Sequence, residues 1–267
     1  MTMAKGSVRG SRGFLAATAV VLVAGVPAYS QKPIERLDAE AQAQWLRRAE
    51  PAGARACVAL YDRITALEPG RSEAQIALAR ALWWYALMRP PAAVTERQAL
   101  FRRSIAAARQ AQRLAPRNPG GFYWEAASQV QAATEGAEVI APATIWRIRK
   151  LLAKVRALNP WYHHGSIRTV EAELILGMPA WERWMAGEST RRAVDLALEA
   201  LGFENNCFYG HWVLARALEA SGRRNAAISQ LDIILAQGPE AFLPDAPENR
   251  VVQRWAAALR ARLREPR

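Results

Sequence analysis

Apolar positions recur along this chain at helical spacing, and breaker residues close each run. The clearest run extends from Phe208 to Ala241, FYGHWVLARALEASGRRNAAISQLDIILAQGPEA. Leu214 and Ala215 lie one turn before Leu218, Gly222 interrupts the pattern, and Ala227, Leu231 and Ile234 resume it until Pro239. This order predicts a helix, a tight turn and a second helix within about 34 residues. Small side chains at Ala215 and Ala227 let two antiparallel helices approach closely, while Leu214, Leu218, Leu231 and Ile234 supply the apolar stripe between them. One hairpin cannot cover its own stripe, so stacked neighbours are required.

The neighbours are visible from their closing prolines. Cys57, Tyr61, Ile64 and Leu67 precede Pro69; Ser104, Ala108, Ala111 and Leu114 precede Pro116; Ile148, Leu152, Val155 and Leu158 precede Pro160. Proline cannot continue a helix and turns the residue before it away from helix, so each one punctuates a hairpin. A fourth hairpin carries Ala193, Ala197, Ala200 and Phe203, with Asn205 and Asn206 where the proline would stand. No segment alternates with period two, so the predicted class is all-α: a solenoid of about five helical hairpins over residues 31–241 and a C-terminal capping helix within 242–267. Val252, Trp255, Ala256, Leu259 and Leu263 fall on one side of that last helix.

The units differ in length. The second (Ser72 to Asn118) and third (Pro119 to Tyr162) exceed the basic period by roughly ten residues each, which predicts longer helices or turns. The fourth carries GMPAWERWMAGEST, read as a loop because Gly177, Pro179 and Gly187 are breakers. That loop would hold Trp181, Trp184 and Met185, either as a contact surface or tucked against the next helix.

Residues 1–30 follow a different pattern: a basic start, an apolar run from Phe14 to Val26, then small residues at Ala28 and Ser30. The layout is that of a secretory signal peptide cleaved near Ala28 or Ser30, with retention as an anchor the alternative. The expected location is periplasmic or secreted, with membrane contact left open. Export changes the meaning of the charge. The formal +12 falls to +9 without Lys5, Arg9 and Arg12, and a basic surface outside the cytoplasm suggests acidic partners or anionic headgroups and makes nucleic acid improbable. The ten tryptophans mark either burial against partners or scattered core positions.

The spacing of Leu214, Ala215, Leu218, Gly222, Ala227 and Pro239 is similar to the tetratricopeptide (TPR) pattern. The segment Asn159-Pro160-Trp161-Tyr162-His163-His164-Gly165, followed by Leu176-Gly177-Met178-Pro179, resembles the T-component family of periplasmic TRAP transporters and its TPR relatives. The resemblance implies a secreted helical-repeat protein beside a periplasmic solute-binding protein, able to hold a small apolar ligand. This chain departs from the family in having no lipoprotein cysteine at the cleavage point.

The TPR resemblance also implies that the first helix of each unit lines a concave groove. Mapping its lining positions onto this chain gives Arg80, Trp83, Trp84, Tyr123, His164, Ile167, Glu171, Tyr209, Trp212 and Arg216. The groove would be aromatic with a few charges, suited to a partner protein or an amphipathic ligand whose carboxylate meets Arg80 or Arg216. The alternative is that Trp83 and Trp84 are plain core.

Catalysis and metal binding find little support. His163 and His164 are adjacent, diverging by about 100° on a helix, and neither HExxH nor CxxC occurs. Cys57 and Cys207 belong to the first and fifth hairpins, too far apart to bridge. We expect no catalytic residue, metal or cofactor. The expected function is a non-enzymatic periplasmic scaffold or transporter adjunct acting through its groove. The alternative is an assembly factor of an envelope complex, acting through its basic outer face and the Trp181 loop.

Overall fold

Five antiparallel hairpins stack in chain order. The computed structural model describes residues 33–135, 140–241 and 245–265, and residues 1–30, where a signal peptide is expected, lie outside them. The first hairpin pairs α1 (Pro33–Leu46) with α2 (Pro51–Leu67), the second α3 (Ser72–Met88) with α4 (Val94–Leu114), and the third α5 (Pro119–Thr134) with α6 (Pro142–Leu158). The fourth holds α7 (Ile167–Gly177), α8 (Ala180–Met185) and α9 (Thr190–Phe203); the fifth pairs α10 (Phe208–Ala220) with α11 (Arg224–Ala236). A last helix, α12 (Ala246–Arg264), follows. Among the described residues there is no strand, as the pattern predicts.

Local chemistry explains the boundaries. Pro51, Pro119 and Pro142 occupy first helical turns, where a missing N–H costs nothing. The Asn118 side chain accepts from Gly120 N, and Ser189 accepts from Arg192 N, each satisfying an orphan donor of the first turn. The tight turn of the fifth hairpin depends on Gly222, whose φ is +78°. Arg223 N–H donates to Leu218 O at 2.8 Å and Gly222 N–H to Glu219 O at 2.9 Å, the paired bonds of a glycine-terminated helix.

The length differences reside in the helices. In the fifth hairpin both helices have 13 residues, whereas α3 has 17 and α4 has 21. The fourth unit departs from the expected loop. Between the breakers Met178–Pro179 and Gly187 lies the short helix α8, closed by the same left-handed device at Gly187 (φ +68°), with Glu188 N–H donating to Arg183 O at 2.8 Å. Glu182, buried in α8, accepts from Ile140 N at 3.2 Å and fastens the helix to the third unit.

The first helices α3, α5, α7 and α10 pack on one another in sequence and form an inner row, with α4, α6, α9 and α11 outside. Ala79, Ala86, Ala126, Ala172, Ala215 and Ala217 are fully buried there, giving the close approach that small residues allow. Ile64, Ile148, Leu152 and Leu231 are equally buried, each worth about 1.5–3 kcal/mol in removed apolar surface.

The C-terminal helix does more than cover the end. Val252, Ala256, Leu259 and Leu263 bury its stripe against the fifth hairpin. Its N-terminal half also reaches the first two hairpins: Arg48, in the turn after α1, meets Glu248 at 3.0 Å, and Trp255 lies 6.4 Å from Trp84, while staying 5.9 Å from Trp212 of the fifth. Trp84 Nε1 donates to Arg48 O at 2.9 Å. Helix α12 therefore spans the concave side from the last hairpin to the first.

Ala227 is fully buried in the fifth hairpin. Ala227→Leu should overpack that contact and destabilise the protein by about 1–3 kcal/mol; a thermal or urea melt indistinguishable from wild type would contradict the close approach.

Candidate ligand-binding site

The concave side is divided into an inner aromatic layer and an outer recess. In the inner layer Trp83 packs 5.5 Å from Trp124 and 6.3 Å, edge-on, from Tyr209. Tyr123 stacks on His163 at 5.3 Å, and Ser166 donates to the Tyr123 hydroxyl at 2.9 Å. Trp45 lies between two guanidiniums, with Arg48 4.2 Å and Arg80 4.0 Å from its ring centre, a cation–π arrangement that offsets part of the cost of burying charge. Only about 60 Å³ of space is enclosed here. A space of that size, lined in large part by aromatic side chains, is too small for an organic ligand.

The outer recess is far larger, about 1020 Å³, and opens between α3, α5, α7, α10 and α12. Leu87, Met88, Leu176, Trp212, Trp255 and Leu259 give it apolar walls, and five arginines, Arg89, Arg97, Arg216, Arg254 and Arg262, stand around them. Glu173 and Tyr209 line both spaces and form the partition.

That partition is a buried polar network. Glu173 accepts from the Tyr209 hydroxyl at 2.8 Å and from Gln131 Nε2 at 3.3 Å, with Arg216 at 3.6 Å. Burial raises the pKa of Glu173, and the Arg216 charge with the bonds from Tyr209 and Gln131 only partly draws it back. Burial, reinforced by the neighbouring carboxylate, pushes Tyr209 well above its ordinary value. On the recess wall Glu135 pairs with Arg97 and is raised by the same desolvation.

The residues mapped from the sequence fall into three groups. Tyr209, Trp212 and Arg216 lie on the recess wall. Arg80, Trp83, Trp84 and Tyr123 surround the inner space instead, and Trp84, at 2% exposure, is core. Ile167 and Glu171 line neither. Ile167 is buried in the core, and Glu171 pairs with Arg156 and Arg168 in a charged cleft among α6, α7 and α9. His164 falls in a 3₁₀ turn, Tyr162–Gly165, and its side chain lies outside the described residues.

The displacement has one cause. The 3₁₀ turn delays α7 until Ile167, so a frame begun at His163 runs about two residues early, and two residues rotate a helix face by about 200°. The α7 side chains that reach the concave side are Thr169, Val170, Glu173 and Leu176. Glu173 was detectable in principle as the single charge between Ala172 and Gly177. Arg254 and Trp255 were not, because nothing local says that α12 crosses the groove.

Elsewhere the polar residues are structural. His211 bonds Gln230 Oε1 at 2.8 Å through Nδ1 and Asn205 O at 2.9 Å through Nε2, tying α10 to its neighbours. Cys57 and Cys207 are free thiols, both pushed up to about 11 by burial, and the sulfur of Cys207 caps α10 by accepting from Gly210 N. Among the described residues no three His, Cys, Asp or Glu side chains are placed to hold a metal ion, and no helix is long and apolar enough to cross a membrane. Trp181, Trp184 and Met185 project from α8 at 51%, 81% and 70% exposure.

Neither a protein-family model nor a curated protein matches the chain. Among solved structures it is similar to TTC0263, a thermophilic TPR protein of Thermus thermophilus, with TM-score 0.56 and 20% identity over 83% of this chain and 99% of that one. The fold is a TPR-like solenoid. A structure described as MamA MSR-1 C2 aligns with TM-score 0.36 and 18% identity, covering 83% of this chain and 98% of that one.

The partition makes the stability of this TPR-like solenoid depend on pH. Because folding raises the pKa of Glu173, its contribution is fully present below the unfolded value, near 4.5, and is lost as pH rises towards and through the folded value. Glu173→Gln keeps an acceptor for Tyr209 and removes the titration. Its stability relative to wild type should therefore be higher at pH 7 than at pH 4 in paired denaturant melts; a difference independent of pH would contradict the assignment.

Proposed function

We propose that this chain is a non-enzymatic, exported TPR scaffold that holds a small organic ligand in the recess beside α12 and works next to a partner protein. The observation that carries this reading is the recess itself. Its volume of about 1020 Å³ is at the upper end of the range usual for small-molecule sites, roughly 300–1000 Å³, and it combines apolar walls with a few charged groups. Binding is favoured over catalysis because the histidine and thiols described above are engaged or pushed away from reactivity, leaving no poised nucleophile and base among the described residues. Export rests on the leader at residues 1–30. The resemblance to TRAP T-components supports a place beside a periplasmic solute-binding protein.

A second reading concerns where the protein partner docks, and α8 favours it. Trp181, Trp184 and Met185 are exposed together on one short helix, with Trp146 and Trp161 also exposed at 65% and 67%. Aromatic side chains left in water on an outer surface mark places that partners cover. With α12 across the concave side, the outer face is the more accessible platform, as expected for an assembly factor of an envelope complex.

Native mass spectrometry of protein purified without detergent should show a non-covalent adduct, absent from Ala258→Trp, which fills the recess from the exposed face of α12. Crosslinking in cells should give a protein adduct that Trp184→Ala reduces several-fold and Ala258→Trp leaves in place. A bare mass together with no crosslinked protein would overturn the scaffold reading.

A further inference from the structure

The arginines around the recess are not equally satisfied. Arg89 meets Glu96 at 2.8 Å, Arg97 pairs with Glu135, Arg262 meets Glu219 at 2.8 Å, and Arg216 faces Glu173 at 3.6 Å. Arg254 has no carboxylate partner among the described residues; it donates a hydrogen bond to the Ala49 carbonyl at 3.4 Å. On the wall of an open recess, a guanidinium with no carboxylate partner among the described residues is matched to an anionic acceptor from outside.

The remaining wall is apolar. Leu176, Trp212, Trp255 and Leu259 line the same space, and they reward removal of a hydrocarbon from water at about 25 cal/mol per Å². A highly charged oxyanion would find only one uncompensated guanidinium and would lose hydration without replacement. A polypeptide could not pass through, because the Glu173–Tyr209 partition closes the inner side. We infer that the recess binds a small amphipathic monoanion, a carboxylate on an apolar chain, with its headgroup at Arg254 and Arg216 and its chain against Leu176, Trp212, Trp255 and Leu259. This rests on the reading of the recess as the binding site and adds the chemical class of what enters it.

Guanidinium recognises a carboxylate through paired, charge-assisted N–H···O bonds, while an alcohol of the same chain length offers neither charge nor a second acceptor. Trp212 and Trp255 make the recess self-reporting by fluorescence. The test uses the full mature chain, titrated with decanoate and with decanol below their aggregation limits, by calorimetry and tryptophan emission. Decanoate should bind one per chain, at least about tenfold more tightly than decanol. Arg254→Gln, a change at an exposed side chain, should weaken decanoate about tenfold, leave decanol unchanged and leave the melting temperature in place. Arg254→Lys should restore only part of the affinity, because an ammonium lacks the planar fork.

Equal binding of decanoate and decanol, with Arg254→Gln silent, would overturn the carboxylate class while leaving the recess as an apolar site. Tighter binding of decyl phosphate than of decanoate would overturn the monoanion. Tighter binding of a short peptide ending in Leu-Leu-Glu, lost in Arg254→Gln, would replace the small ligand by a polypeptide terminus. No binding of any of these probes would overturn the inference and the recess reading together.

Discussion

Arg48 is 1% exposed, and the carboxylate it meets, Glu248, stands 200 residues further along the chain. Burying a guanidinium is costly, and desolvation lowers its pKa even with Glu248 pulling the other way. Such a pair is a weak source of net stability and a strong specifier of position, because few other placements of α12 satisfy both groups. Trp84 adds to the constraint by donating to the carbonyl of the same arginine. The turn after α1, the middle of α3 and the start of α12 are thereby held together. What would otherwise be an open stack of hairpins is tied across its concave side.

That tie decides what the concave face can do. The aromatic side chains of the inner row would offer an extended groove if α12 were elsewhere. With Trp255 close to both Trp84 and Trp212, part of that surface becomes interior, and the recess is what remains on the other side of Glu173 and Tyr209. One helix thus supplies the end cap of the fifth hairpin, the closure of the aromatic layer, and one wall of the recess, including Arg254, Trp255, Leu259 and Arg262. Concave recognition and solenoid stability are consequently not separable in this chain. The surfaces free of that coupling are external, above all α8 with its exposed tryptophans.

The hairpins were legible in the sequence because their signals are local. Prolines and capping residues fix ends within a turn, and Ala215 and Ala227 reveal close approach by their size alone. Helix α8 was less legible, since six residues between breakers carry too little periodicity to distinguish a helix from a loop. The concave face of α7 failed by a small error with a large geometric consequence: a 3₁₀ turn shifted the frame by two residues and exchanged Glu173 for Glu171. The path of α12 was not legible at all. Its stripe says that it packs on something, but Arg48 and Glu248 are ordinary surface residue types until the fold brings them together.

The depth of the recess has its own origin, and it is a missing side chain. Gly177 ends α7 on the recess wall, and a Cβ placed there would lie 1.9 Å from Thr134 Cγ2 on α5. No rotation of a threonine methyl absorbs an overlap of that size without moving a helix, so glycine is what lets α5 and α7 meet at that level. The same two helices carry Gln131 and Glu173, whose 3.3 Å bond closes the partition from the α5 side. Were α7 pushed away from α5, that bond would open first, and the buried carboxylate would lose one of the groups that hold it. The boundary between packed interior and open recess is therefore set jointly by a glycine contact at the rim and a hydrogen-bond network at the floor.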